Sequence, residues 1–319
     1  MAAYDKEAYA EQAKIRSQEL TDKLEAGMKE FIHSDKYMNY LKTMSVFHSY
    51  SSRNIMLINM QKPNATRIAG TSLWKKEFKR FPKKGEKALY ILAPIGSKEP
   101  EKVLMEKIDP ETKAPMLDKD GNTIMEEMTS VSSLRPRFKY VPVFDVSQTV
   151  GDPLPELVEN LTGNVANYEA FLDSLRAITP LPIEFEPMKA EQDGYIRFGV
   201  KIGLREGMSE PQTIAAAVHE IVHERLHDQN NLPENAEQKK KKIQEIEAES
   251  IAYVICQRFG IDTSPNSFGY LAEYGSRDMS ELNASLDTIR KEAGSLIIAI
   301  EENFTKICKE RGIDRKSVV

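Results

Sequence analysis

The sequence predicts an α+β fold in two domains. Three observations carry that prediction. The chain has 319 residues, twice the length of a common domain. Its first half passes from helical periodicity into short apolar strands set among lysines, whereas its second half is mostly helical. Between the halves lies Gly151-Asp152-Pro153-Leu154-Pro155, a Pro/Gly break that places the domains at 1–153 and 154–319.

In chain order, residues 4–32 space Tyr9, Ala13, Ile15, Leu20, Leu24, Met28 and Phe31 near the helical period. A second helix is expected over Lys36 to about Phe47, and a third after Ser51 or Ser52, either of which suits an N-cap. Lys62-Pro63-Asn64 stops it. Arg67–Gly70, Ala88–Pro94 and Lys139–Val146 read as strands. Residues 97–135 are polar and Met-rich, with a turn at Asp118-Lys119-Asp120-Gly121-Asn122; they read as an inserted hairpin or loop. The second half should hold a helix over 165–178, a strand pair within 182–204, and helices near 211–228, 237–259, 268–275 and 280–309.

Composition narrows the class. Hydrophobic residues make up 40% of the chain, enough for a core without disulfide or metal staples. A net charge of -5 excludes a surface uniformly basic, though not a local basic patch. The longest apolar runs, such as Ile251–Cys256 and Leu296–Ile300, are far below a membrane span. The N-terminus lacks the basic-then-apolar layout of a signal peptide. Cys256 and Cys308 fall in apolar helical patterns and read as buried free thiols, so a cytoplasmic protein is expected. Lys239–Lys242 reads as the solvated start of a helix.

The sharpest chemical signal is His219-Glu220-Ile221-Val222-His223. On a helix, His219 and His223 lie one turn apart on one face, so both imidazoles reach one metal ion. Glu220 is then placed to take a proton from water rather than to ligate. This is the H-E-x-x-H metallopeptidase spacing, and it implies one Zn2+ per chain. His227, one further turn on, reads as a hydrogen-bonded histidine outside the ligand set. A third ligand is still needed. Glu245-Ile246-Glu247-Ala248-Glu249 begins 22 residues after His223, where a second helix enters the core. Glu249 is the favoured ligand, since it sits at the polar–apolar boundary; Glu245 and Glu247 are the alternatives. Tyr253 could face the site but reads better as core packing. No residue for stabilising an oxyanion stands out.

Residues 61–90 hold nine basic side chains against two acidic ones, a local +7 in a chain of net -5. Trp74, Phe78, Phe81 and Tyr90 are interleaved with them. Cations that track phosphates, with aromatic faces for bases, are what single-stranded nucleic-acid binding uses. The same pattern is also met on merely solvated lysine faces, and a lone Trp serves equally as a core anchor.

Two sets of motifs point to a family. The first is Phe47-x-x-Tyr50-Ser51-x-x-Asn54, Leu57-Ile58, Gln61, Ala65-Thr66 through Gly70, Trp74, Lys84-Gly85-Glu86-Lys87-Ala88, Ile91-Leu92-Ala93-Pro94 and Val143–Thr149. These resemble the N-terminal domain of ArdC-type antirestriction proteins. The second is the H-E-x-x-H segment followed by Ala248-Glu249-Ser250 and Ala252-Tyr253, which resembles the zincin-like metallopeptidase domain of the same family. The resemblance spans roughly residues 5–265. It implies a first domain of helices with a small basic antiparallel sheet that binds single-stranded DNA. It implies a mostly helical, zincin-like second domain with a short sheet. His219, His223 and Glu249 match the family's metal positions and Glu220 its catalytic glutamate. Such proteins belong to mobile genetic elements and act in antirestriction during conjugative transfer. With the basic strip, the resemblance nominates Tyr50, Arg53, Asn54, Arg67, Trp74, Lys75, Lys76, Lys79, Arg80, Lys83, Lys84 and Lys87 as nucleic-acid contacts. Residues 97–135 depart from the pattern as an insertion, and 266–319 as a helical tail.

The function expected is therefore a DNA-associated zinc peptidase with a protein or peptide substrate. The alternative is a non-enzymatic antirestriction protein that shields single-stranded DNA and holds a structural metal. Glu220 discriminates the two, because a structural site gains little from a glutamate between the histidines.

Overall fold

The computed structural model describes residues 15, 18–22, 34–94, 102–106, 123, 125–129, 138–154, 165–228, 241–261 and 279–313. The architecture is α+β, with long helices and small sheets. Residues 15 and 18–22 are helical. The expected helix at 268–275 lies outside the described residues, as do most of 4–32, part of 97–135 and the ends of the tail.

Contacts divide the chain into two compact units, Met1–Ile91 with Pro142–Val319, and Leu92–Val141. This division differs from the expected one at 153/154. The physical reason lies in α1 (Ser34–Phe47), which packs on α6 (Lys241–Arg258) far along the chain. The buried hydroxyls of Tyr37 and Ser250 share a hydrogen bond of 2.8 Å between those helices. The second unit contains the antiparallel pair β4 (Lys102–Glu106) and β5 (Met125–Thr129), joined through the 97–135 excursion.

In the first unit, α2 (Ser52–Gln61) follows α1. Ser51 is its N-cap and accepts the Asn54 N–H at 3.3 Å, one of the donors that a helix start leaves over. Phe47 meets Tyr50 edge to face at 5.8 Å. Gln61 closes the helix against β3 (Leu89–Pro94): its amide donates to Tyr90 O and accepts from Tyr90 N, both at 2.9 Å. Next come β1 (Ile68–Ala69), α3 (Thr71–Phe78), β2 (Arg80–Pro82), β6 (Phe138–Asp145), a 3-10 turn (Val146–Gln148) and β7 (Thr149–Gly151). The strands form a β1-β6-β3 sheet and a β2-β7 pair. Asp145 binds the pieces together. Its carboxylate accepts from Thr66 N and Arg67 N on one side and caps the 3-10 turn through Ser147 N on the other. Thus the Asp145–Thr149 motif is a capping device. Not expected from the sequence were α3 and β2, which are short and lie among the lysines of the basic strip.

The remaining elements are α4 (Val165–Ala177), β8 (Ile183–Glu186), β9 (Gly194–Arg197), β10 (Lys201–Arg205), α5 (Glu210–His227), α6 and α7 (Met279–Arg311). The expected strand pair is a three-stranded sheet, β8-β10-β9, parallel on one side of β10 and antiparallel on the other. Helix α5 packs on β9, β10 and α6, while α4 and α6 pack on α7. The core at this end joins Ile214, Ala217, Val218, Ile221 and Val222 of α5 to Ile251, Val254 and Ile255 of α6, all nearly fully buried. Burial of side chains this size contributes about 1.5–3 kcal/mol each. Cys256 and Cys308 are buried free thiols.

Candidate metal centre

Helix α5 begins with Pro211 in its first turn, where a missing N–H costs nothing, and with Ser209 N donating to Gln212 Oε1 at 3.2 Å. Its apolar stripe then seats the helix on the sheet and α6, which leaves His219 and His223 at the edge of an open cleft of about 990 Å³. Their Nε2 atoms stand 3.0 Å apart. Glu245 Oε2 of α6 lies 3.4 Å from His219 Nε2 and 3.6 Å from His223 Nε2. Ligand atoms held tetrahedrally at about 2.0–2.2 Å from one ion stand about 3.3–3.6 Å from each other. The triangle of His219, His223 and Glu245 has close to those edges, and this is the trio the structure brings together. The residues fit zinc by donor type as well, with two imidazoles and a carboxylate.

This differs from the expected ligand set in one place: it is Glu245, not Glu249, that joins the imidazoles. Glu249 is one turn further along α6. It lines the same cleft, and its Oε2 is buried with no hydrogen-bond partner. The crossing of α5 and α6 separates these glutamates, because residues four apart on α6 share one helix face. Glu247 is turned away and fully buried against His227, with Nε2 and Oε2 at 3.1 Å. His227 is thus hydrogen-bonded, as expected, and its Nδ1 lies 2.9 Å from His223 Nδ1.

The electrostatics follow from this packing. Interactions with His219 and His223 hold the Glu245 carboxyl well below the usual carboxylate range, against the opposing effect of burial. Burial alone would depress His219, but Glu245, Glu220 and Glu249 together lift it above the ordinary imidazole value. Burial raises Glu249, with His219 opposing and Glu245 adding to the rise. Glu220 is 8% exposed and lines the cleft. Burial lifts its carboxyl above the usual range, with the two imidazoles opposing. Gly194 of β9 faces it closely: a Cβ there would stand 3.3 Å from Glu220 Cγ and 3.1 Å from Gly203 O. Tyr253 is buried and also lines the cleft.

The nominated nucleic-acid contacts separate into two groups. Trp74 is 1% exposed and donates its Nε1–H to Phe144 O at 2.8 Å, so it is a core anchor rather than a stacking surface. Asn54 is buried in the start of α2. Arg80 is committed to the β7 backbone, where it donates to Thr149 O, Gly151 O and Asp152 O. Lys83 Nζ donates to Ser147 O at 2.9 Å. Tyr50 and Arg67 are half-buried. Arg53, Lys75, Lys76, Lys79, Lys84 and Lys87 are exposed. Two exposed aromatics of the strip lie outside the nominated set: Phe78, 37% exposed, and Phe81, 49% exposed and paired across the strands with Val150, 58% exposed. Phe81 stands between Lys79-Arg80 and Lys83-Lys84, which was the available signal.

Comparison with known proteins adds the following. No family model matches the sequence. The chain is 26% identical over 345 aligned positions to the uncharacterised protein pXO2-81 of Bacillus anthracis, with 98% of this chain aligned. It spans only 56% of that relative's length. Among solved structures it is similar to the antirestriction ArdC protein from the R388 plasmid, in two crystal structures at 17% identity. The metal-free structure gives a TM-score of 0.45 over 81% of this chain and 86% of the other. The Mn(II)-bound structure gives 0.49 over 90% and 97%.

Proposed function

We propose that this chain is a zinc-dependent peptidase of the ArdC type, which also binds single-stranded DNA and works in antirestriction. The observation that carries the enzymatic part is the convergence of His219, His223 and Glu245 on one point in a cleft, with Glu220 beside them. The DNA-binding and antirestriction parts rest on the sequence resemblance and on the exposed lysines around Phe81.

His219, His223 and Glu245 would hold the ion, with Glu249 within the same cleft. The chemistry supplied at such a centre is activation of water and polarisation of a carbonyl group. Glu220 takes the proton of the attacking water and returns it to the leaving amine as the C–N bond breaks. Burial raises its carboxyl, the direction that favours returning the proton it has taken. Strand β9 is an outer strand of its sheet, and Gly194, Tyr195 and Ile196 line the cleft. An extended peptide could add to that edge by main-chain hydrogen bonds and so lie along the cleft that holds the imidazoles.

The test is Glu220→Gln in the full chain. It should keep zinc and oligonucleotide binding while losing protection of incoming DNA from restriction. Protection retained at wild-type level would favour the non-enzymatic reading, in which the chain shields DNA and the metal is structural.

A further inference from the structure

The run Glu245-Ile246-Glu247-Ala248-Glu249 splits by helix geometry. Two residues turn the helix by about 200°, so Glu247 leaves the cleft face that Glu245 and Glu249 share. It ends with its side chain 0% exposed. A carboxylate in that position is costly unless it is hydrogen-bonded. Its partner is His227, 2% exposed, with Nε2 3.1 Å from Glu247 Oε2. The other nitrogen of that ring, Nδ1, is 2.9 Å from Nδ1 of His223. The line therefore runs Glu247, His227, His223, and then out through His223 Nε2 toward His219 and Glu245.

We propose that His227 and Glu247 are a positioning pair that fixes the tautomer of His223 for metal binding. The proposal rests on the metal-centre reading above. A carboxylate oxygen accepts, so His227 donates its Nε2–H to Glu247. The neutral His227 ring then has a lone pair at Nδ1, which accepts the Nδ1–H of His223. With its proton held on Nδ1, His223 presents a bare Nε2 to the point shared with His219 and Glu245. Metal-ligating histidines commonly have their second nitrogen held this way, directly by a carboxylate or carbonyl. Here a second imidazole is interposed, so the orienting carboxylate is fully buried and does not line the cleft. If His227 instead carried both protons it would donate to His223 Nδ1, and His223 Nε2 would be the protonated nitrogen, unable to ligate.

The experiment is long-range 15N–1H correlation spectroscopy on the zinc-free full chain with 15N-histidine, which holds five histidines to assign. Zinc affinity is measured on the same proteins by chelator competition. Wild type should show His223 as the Nδ1–H tautomer and His227 as the Nε2–H tautomer. His227→Phe removes the acceptor, so His223 should become a tautomer mixture, and zinc affinity should fall by about 10–100-fold. Glu247→Gln keeps a carbonyl oxygen for the Nε2–H and should leave the His223 tautomer in place. An Nε2–H tautomer of His223 in wild type would overturn the proposal without any variant, even if His227→Phe fails to fold. So would an unchanged zinc affinity in a folded His227→Phe protein. Wild type with the expected tautomers and no zinc uptake would instead sink the metal centre itself, so the two failures read differently.

Discussion

Glu245 Oε2 stands 3.4 Å from His219 Nε2, whereas Glu249, one turn along the same helix, ends in a buried oxygen with no hydrogen-bond partner. In the proposed metal centre the first is a ligand and the second a neighbour. Glu245→Ala should therefore lower zinc affinity by at least about 100-fold, which corresponds to roughly 2.7 kcal/mol. Glu249→Ala should cost less than about tenfold, below the range for an outer partner that holds a ligand in place. Equilibrium chelator competition on the two variants checks this, and the reverse order would restore Glu249 as the third ligand.

Zinc uptake should depend on pH through His219. Its proton is held to a higher pH than that of free imidazole, ~6.5, because Glu245 and its neighbouring carboxylates outweigh burial. A raised pKa means the proton competes with the metal already above that value. Apparent affinity should thus begin to fall while the pH is still above the ordinary imidazole value and keep falling as the pH drops through it. Titrations of zinc uptake and proton release across that value test it, and a profile that stays flat down to it would contradict it.

The H-E-x-x-H segment was legible because its spacing is local, and a helix alone brings His219 and His223 together. The choice among three glutamates was not, because it is made where α5 crosses α6, which the spacing along α6 leaves open. Trp74 shows the same limit. Its place among lysines resembles a stacking platform, yet α3 turns it inward to Phe144 O. The longer described helices were legible from their apolar period, unlike the short α3, and Ser51, one of two expected candidates, caps α2. The division of the chain was less so, since the contact of Tyr37 with Ser250 links residues 213 positions apart.

Lys79 connects strain to the basic strip. It closes α3 with φ 51°, the left-handed conformation that glycine adopts most easily, and its N–H returns to Trp74 O. Its carbonyl also leaves no room at Gly151, where a Cβ would come within 2.3 Å. Lys79→Gly should raise stability by about 0.5–1 kcal/mol while weakening binding of single-stranded oligonucleotides. Paired denaturation and binding curves check both signs. Gain of stability with unchanged binding would remove Lys79 from the DNA-binding reading.

Phe81 and Trp74 should separate cleanly. Phe81→Ala removes an exposed ring and should cost about 1–3 kcal/mol of single-strand binding, the range for one stacked base, with little change in Tm. Trp74→Ala empties a core site and should cost about 3–5 kcal/mol of stability. Binding should also weaken steeply with added salt, as phosphate contacts require. Oligonucleotide titrations at several salt concentrations decide this, and binding that ignores both Phe81 and salt would direct the strip to another partner.

The most direct test of the central claim is the metal content of the purified full chain, measured beside His219→Ala, His223→Ala and Glu220→Gln. About one zinc per chain is expected in wild type and in Glu220→Gln, and almost none in the two histidine variants. Zinc absent from wild type under saturating supply, or retained when His219 and His223 are removed, would contradict it.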